Sequence, residues 1–360
     1  MSTNLSVSGP VHPKRRSVAR RAASAIRIVL VLLLLLLLTF SLWNLAVAKR
    51  QHVHNPVPGN FYSVEGRQMH LYCSGTGWPT VVIEAAAGVN SLGWQGVQSK
   101  LSPLTRICTY DRAGHGWSQP RPGPRDAETI VRELHEMRDQ AGVPRPLVLT
   151  GHSAGGLYIR EYAREFPSEI AGVVLIDASS PQQIDELPGW RQSYEEGKRN
   201  FARQLRWEKL RVWSGWERLM GRCHDEPSKE LQYLAGQYDG EMCRPECVGG
   251  DDSEFLYFET ACKQAARLTN FGNVPLLIVS SDTDQRGSGM TENAIAERSV
   301  WAREQETLQS LSRVSWRVIA RGSGHGVHHD RLDVVVTEMT HLIAYLRGGP
   351  APPFGTTAVE

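Results

Sequence analysis

Residues 28–48 contain no charged side chain, and 32–38 are an unbroken run of leucine. As an α-helix rising ~1.5 Å per residue, this stretch is roughly 30 Å long, the thickness of a bilayer's hydrocarbon core. A core helix of that length in a globular protein would carry polar punctuation, so the stretch is expected to enter a membrane. Lys14, Arg15, Arg16, Arg20, Arg21 and Arg27 precede it, whereas only Lys49 and Arg50 closely follow. That bias keeps 1–27 in the cytoplasm and sends everything beyond Arg50 outside. Ala46-Val47-Ala48 has the A-x-A form of a cleavage site, so secretion after signal cleavage is the alternative to an anchor. The basic region and the apolar run are both long for a signal peptide, which favours the anchor.

Of the 360 residues, 41% are hydrophobic and 22% charged, which is too apolar for a disordered chain and enough for a sizeable core. Forty Lys and Arg against 38 Asp and Glu leave a net charge of +2, no field suited to nucleic acid. The six cysteines form no paired C-x-x-C knuckles, so a structural zinc site is not expected. Pro56, Pro58 and Gly59 mark 49–59 as a linker, and the Pro- and Gly-rich 348–360 reads as a disordered tail.

Between linker and tail, short β-branched and apolar runs at 80–83, 106–110, 147–150, 172–176, 275–280 and 316–320 alternate with longer amphipathic stretches. The alternation predicts a parallel sheet with helices on both faces, built from 60–177 and 274–347. The connection over 178–273 far exceeds the ordinary ~2 to 6 residues and is expected to fold as an inserted lid. Trp190, Trp207, Trp213 and Trp216 fall within it, suited to the lid's own core or to the wall of an apolar pocket.

Asp126 is placed to cap a helix carrying Ile130, Leu134, Met137 and Ala141 on one stripe, ended by Gly142 and Pro144. A second helix starts just after Ser153 and stops at Pro167. Strand 147–150, Gly151-His152-Ser153-Ala154-Gly155 and this helix together make the strand, G-x-S-x-G turn and helix of a nucleophile elbow. Such a turn strains the serine backbone, and side chains at 151 and 155 would collide with the neighbouring strand and helix.

A serine hydroxyl is a poor nucleophile at neutral pH and needs a base, which in this arrangement follows later in the chain. His325 is the candidate, in the glycine-rich loop Gly322-Ser323-Gly324-His325-Gly326 after the strand 316–320; His328 and His329 lie closer to the following helix. A carboxylate must orient the imidazole. Asp177, Asp282 and Asp284 all stand at strand ends.

With the segments Thr80-Val81-Val82-Ile83-Glu84-Ala85-Ala86-Ala87-Gly88, Tyr110-Asp111-Arg112-Ala113-Gly114-His115-Gly116-Trp117-Ser118, Gly151-His152-Ser153-Ala154-Gly155 and Gly322-Ser323-Gly324-His325, the chain resembles the α/β-hydrolase superfamily, in its bacterial serine-hydrolase branch with an inserted lid. The resemblance covers nearly all of 60–347. It implies an α/β fold with a mostly parallel eight-stranded sheet, Ser153 as nucleophile and His325 as base. It implies an oxyanion hole from the amides of Ala154 and Ala87, with Ala86 as the alternative, although alanines replace the usual His-Gly pair. Ser281-Asp282-Thr283-Asp284 matches the family's acid pattern and favours Asp284, with Asp282 and Asp177 as alternatives. Asp111 and Arg112 are expected to brace the turn after their strand.

A serine at the nucleophile position disfavours the dehalogenase and epoxide-hydrolase branches, leaving acyl transfer to water with no metal or organic cofactor implied. The expected activity is hydrolysis of small apolar acyl or aryl esters by a membrane-anchored extracytoplasmic enzyme. The alternatives are an amidase or peptidase, a cofactor-free perhydrolase, and a non-catalytic membrane-tethered binding protein. The fold would set the strands of Cys73 and Cys108 side by side. Cys223, Cys243, Cys247 and Cys262 share the insertion and would suffice for two bridges, six reduced thiols being the alternative.

Overall fold

Residues 14–54, 56–223, 250–283 and 290–360 are described by a computed structural model. Each of the six apolar runs becomes a strand, and the described residues form one sheet of nine strands. These are β1 (Asn60–Val64), β2 (Arg67–Ser74), β3 (Thr80–Glu84), β4 (Ile107–Tyr110), β5 (Leu147–His152), β6 (Ile170–Ile176), β7 (Leu276–Ser280), β8 (Ser315–Ala320) and β9 (Gly355–Val359). Their order is β1-β2-β4-β3-β5-β6-β7-β8-β9. β2 pairs antiparallel with β1 and β4, and all other pairs are parallel.

Successive strand residues point to opposite faces, and here both faces are apolar. Val82, Leu149, Val173, Leu175 and Ile278 pack on one side, while Val81, Ile83, Val148, Val174, Ile176 and Val279 pack on the other. The first side is covered by α3 (Ala127–Gln140) and α4 (Gly155–Glu165), through Ile130, Leu134, Leu157 and Tyr158. The second is covered by α2 (Gln95–Leu101) and α10 (Leu332–Leu346), through Val97, Leu101, Val335 and Met339. The Asp126 carboxylate caps α3 by accepting from the Thr129 N–H at 3.0 Å, the contact its position predicts.

Three boundaries differ from the sequence reading. The N-terminal helix α1 runs unbroken over Lys14–His54, through most of the expected linker. The tail expected to be disordered supplies β9, because Thr356, Thr357 and Val359 are β-branched and find an open edge on β8. The insertion divides. α8 (Gly250–Ala265) sets Ala261, Cys262 and Ala265 into the first core cluster, which Ile184 of α5 (Gln183–Glu186) and Tyr194 of α6 (Trp190–Trp213) also join, whereas α7 (Trp216–Leu219) buries no residue.

Cys73 and Cys108, paired across β2 and β4, form a disulfide. Cys223 is disulfide-bonded, and Cys243 and Cys247 lie outside the described residues. Two bridges among the four insertion cysteines do not form, since Cys262 is a free thiol. Its place on the buried face of α8 removes it from that set, and burial pushes its thiol up to about 12.

Candidate active site

β5 delivers Ser153 with a left-handed backbone, φ 52°. That conformation costs a non-glycine residue of order 1–3 kcal/mol and persists only where surrounding structure imposes it. Here the imposing contacts are backbone bonds: the Ser153 N–H donates to Ile176 O at 3.3 Å, and Ser153 O accepts from Gly156 and Ser179 at 3.0 and 2.9 Å. A Cβ on Gly151 would lie 2.8 Å from Gly155 O, and one on Gly155 would overlap Glu84 O at the end of β3. Both flanking glycines are therefore required by close approach, as the sequence pattern anticipates.

His325, on the loop after β8, meets Asp177 at the end of β6: its Nδ1 lies 2.7 Å from Asp177 Oδ2. A carboxylate only accepts, so Nδ1 carries a proton, and in the neutral ring that leaves the lone pair on Nε2. Asp177 is itself held in a left-handed conformation, φ 39°. Its Oδ1 accepts from the Ser281 N–H at 3.0 Å, the Ser281 Oγ at 2.9 Å and the indole N–H of Trp301 at 3.0 Å. Just past β7, which lies between β6 and β8, the Asp282 N–H donates to Ser323 O of the His325 loop at 3.1 Å. Asp282 turns instead to the loop itself, accepting from Arg321 and from the Gly322 N–H, each at 3.0 Å. Asp284, favoured by the family pattern, lies outside the described residues. The carboxylate brought to His325 is thus Asp177, which the pattern ranks last.

Ser153, Asp177 and His325 open on one cavity of about 320 Å³, walled in part by Leu187, Trp190 and Trp301. Trp301 stands on α9 (Glu292–Thr307), edge-on to the His325 ring. Beneath the site, His152 is held at about 4 by burial and by the neighbouring His325. It is therefore neutral near pH 7, and its Nε2–H donates to the His325 carbonyl at 2.9 Å. His328 is buried and stacks on Trp94 with ring centres 4.0 Å apart.

The candidate oxyanion loop follows β3. Arg112, fully buried, donates to Ala85 O at 2.9 Å and Ala86 O at 2.6 Å. In a trans peptide the N–H points opposite the preceding carbonyl, so this grip aims the Ala86 and Ala87 amides away from the guanidinium. Two buried carboxylates hold Arg112 in turn: Glu84 at 2.7 Å, and Glu254 from α8 at 2.7 and 3.0 Å. Burial pushes Glu84 up, whereas for Glu254 the charges of Arg112 and His115 outweigh burial and hold it down. Asp111 braces its turn as expected, accepting from the N–H groups of Ser91 and Trp117 at 2.7 and 3.0 Å. Arg112 departs from that expectation by reaching the candidate oxyanion loop. Nothing in its local sequence marks this role, because its two partner carboxylates lie 28 and 142 residues away.

Residues 77–288 match the family model described as alpha/beta hydrolase fold. The uncharacterized protein YqjL of Bacillus subtilis (strain 168) is 26% identical over 285 residues, spanning 79% of this chain and 89% of that protein. A thermophilic esterase from Thermogutta terrifontis superposes with a TM-score of 0.55 at 19% identity, over 81% of this chain and 98% of the esterase. A membrane phospholipase A described as a bacterial virulence factor gives a TM-score of 0.53 at 17% identity, over 92% of this chain and all of the phospholipase chain (100%). At these identities the two structural likenesses concern the fold.

Proposed function

The chain belongs to the alpha/beta hydrolase fold family, and from that premise we propose that it is a membrane-anchored, extracytoplasmic serine hydrolase of carboxylic esters, with Ser153 as nucleophile, His325 as base and Asp177 as acid. One observation carries the reading: the strained Ser153 turn and the His325–Asp177 pair open on the same partly apolar cavity. Asp177 fixes the tautomer in which His325 Nε2 takes the proton from Ser153 Oγ as that oxygen attacks the ester carbonyl. The resulting oxyanion is received by the amides of Ala154 and of Ala87 or Ala86. His325 then protonates the leaving alcohol and activates the water that releases the acid.

Leu187, Trp190 and Trp301 favour an apolar acyl or aryl group, and the cavity of about 320 Å³ suits short to medium chains. The helix Arg20–Gln51 is long and apolar enough to cross a membrane, and the Cys73–Cys108 disulfide fits an oxidising compartment outside the cytoplasm. A chain-length panel of p-nitrophenyl esters tests the reading, with the matching anilides beside it. Cleavage of short to medium esters by the full-length protein and its loss in Ser153→Ala are expected. Full activity in Ser153→Ala would overturn the assignment, and faster anilide than ester cleavage would make the enzyme an amidase.

A further inference from the structure

The apolar helix is in contact with the insertion. Along α1, Ser41 and Asn44 are buried whereas Leu42, Trp43 and Leu45 are exposed. The covered stripe faces the α6–α7 corner. Asn44 Nδ2 donates to Val212 O at 2.9 Å, and Arg218 Nε donates to Asn44 Oδ1 at 2.7 Å. Arg218 also reaches Gln51 at 3.1 Å. At Gly215, which joins α6 to α7, an added Cβ would sit 3.0 Å from Phe40 O.

Phe40 and Asn44 lie inside the uncharged stretch 28–48. At ~1.5 Å per residue Asn44 is roughly 6 Å below the outer end of that stretch. Whatever packs on Asn44 is held at the same depth. A polar side chain there is tolerated because Val212 and Arg218 satisfy it. The same corner exposes Trp213 (54%), Trp216 (48%), Leu219 (53%) and Met220 (49%), large apolar groups that water would leave unburied. Residues 198–222 carry eight Lys or Arg against two acidic residues, the composition of an element lying on phospholipid headgroups.

We propose that the α6–α7 corner is an interfacial membrane element, docked on the outer part of α1 through Asn44 and Arg218 and inserting Trp213, Trp216, Leu219 and Met220 into a phospholipid bilayer. The proposal rests on the reading of α1 as a membrane anchor. At its other end α6 carries Trp190, which lines the candidate active-site cavity. One rigid helix thus joins the cavity rim to the membrane surface.

The test is tryptophan quenching in the full-length protein reconstituted into vesicles of brominated phosphatidylcholine with phosphatidylglycerol. Wild type, Trp43→Phe and Trp213→Phe/Trp216→Phe are compared, with matched unfolding midpoints as the check on folding. Three tryptophans in lipid predict that the double variant loses about two thirds of the bromine-quenchable emission and Trp43→Phe about one third. A loss in Trp43→Phe with none in the double variant would overturn the proposal and leave the anchor standing. No loss in either would overturn both.

Discussion

Asp177 accepts four hydrogen bonds, from His325, Trp301 and both polar groups of Ser281, so its position is fixed by three separate segments. Asp177→Asn replaces an acceptor with an amide that favours the wrong His325 tautomer. Turnover is expected to fall by roughly 10⁴-fold with folding intact, while Asp282→Asn and Asp284→Asn cost far less. Esterase assays beside far-UV and near-UV circular dichroism check both halves. Trp301→Phe keeps an aromatic ring and removes one donor to a charged oxygen, about 1.5–3 kcal/mol of interaction. A fall in kcat of at least roughly tenfold with little change in KM is expected. Ser153 and His325 were legible because a strand, a five-residue turn, a helix and chain order encode them locally. Asp177 was not singled out, since several carboxylates follow strands and only the reach of the His325 loop past the end of β7 selects among them. Trp301 gave no signal, its task arising from where α9 is placed. Another buried carboxyl, Glu304, is pushed up to about 7 by burial. Raised above its unfolded value, it contributes stability that is full at acid pH and lost as pH climbs from 4.5 through about 7. Glu304→Gln should therefore raise the Tm at pH 8 and change it little at pH 4, measured by thermal unfolding.

Among the elements, α8 links the insertion to the candidate oxyanion loop through Glu254 and Arg112. Removing Glu254 leaves Arg112 paired with Glu84 but strips the buried guanidinium of two charge-assisted hydrogen bonds, about 1.5–3 kcal/mol each. Glu254→Ala is expected to lower the denaturant midpoint accordingly and to reduce kcat, because Ala85 and Ala86 lose a rigid clamp. An unchanged midpoint would detach α8 from the core. α3 and α4 were readable from cap and stripe: Asp126 with Ile130, Leu134 and Met137, and the elbow with Leu157 and Tyr158. α8 was not separated from the insertion around it, because Ala261, Cys262 and Ala265 become a core face only once α3 and α4 are in place.

Across the whole molecule, the sheet was the most legible part, since near-continuous apolar strands demand cover on both faces. β9 escaped because its partner edge is set by the rest of the sheet rather than by the Pro- and Gly-rich sequence before it. The cavity, the His325–Asp177 pair and the strained elbow support the proposal of Ser153 as a nucleophile. The most direct measurement is mass-spectrometric mapping of the adduct left by a fluorophosphonate on the full-length protein. A single phosphonylated residue, Ser153, is expected if it is the nucleophile, with labelling abolished in Ser153→Ala and slowed by orders of magnitude in Asp177→Asn. An adduct on another residue, or labelling undiminished in Ser153→Ala, would contradict that role.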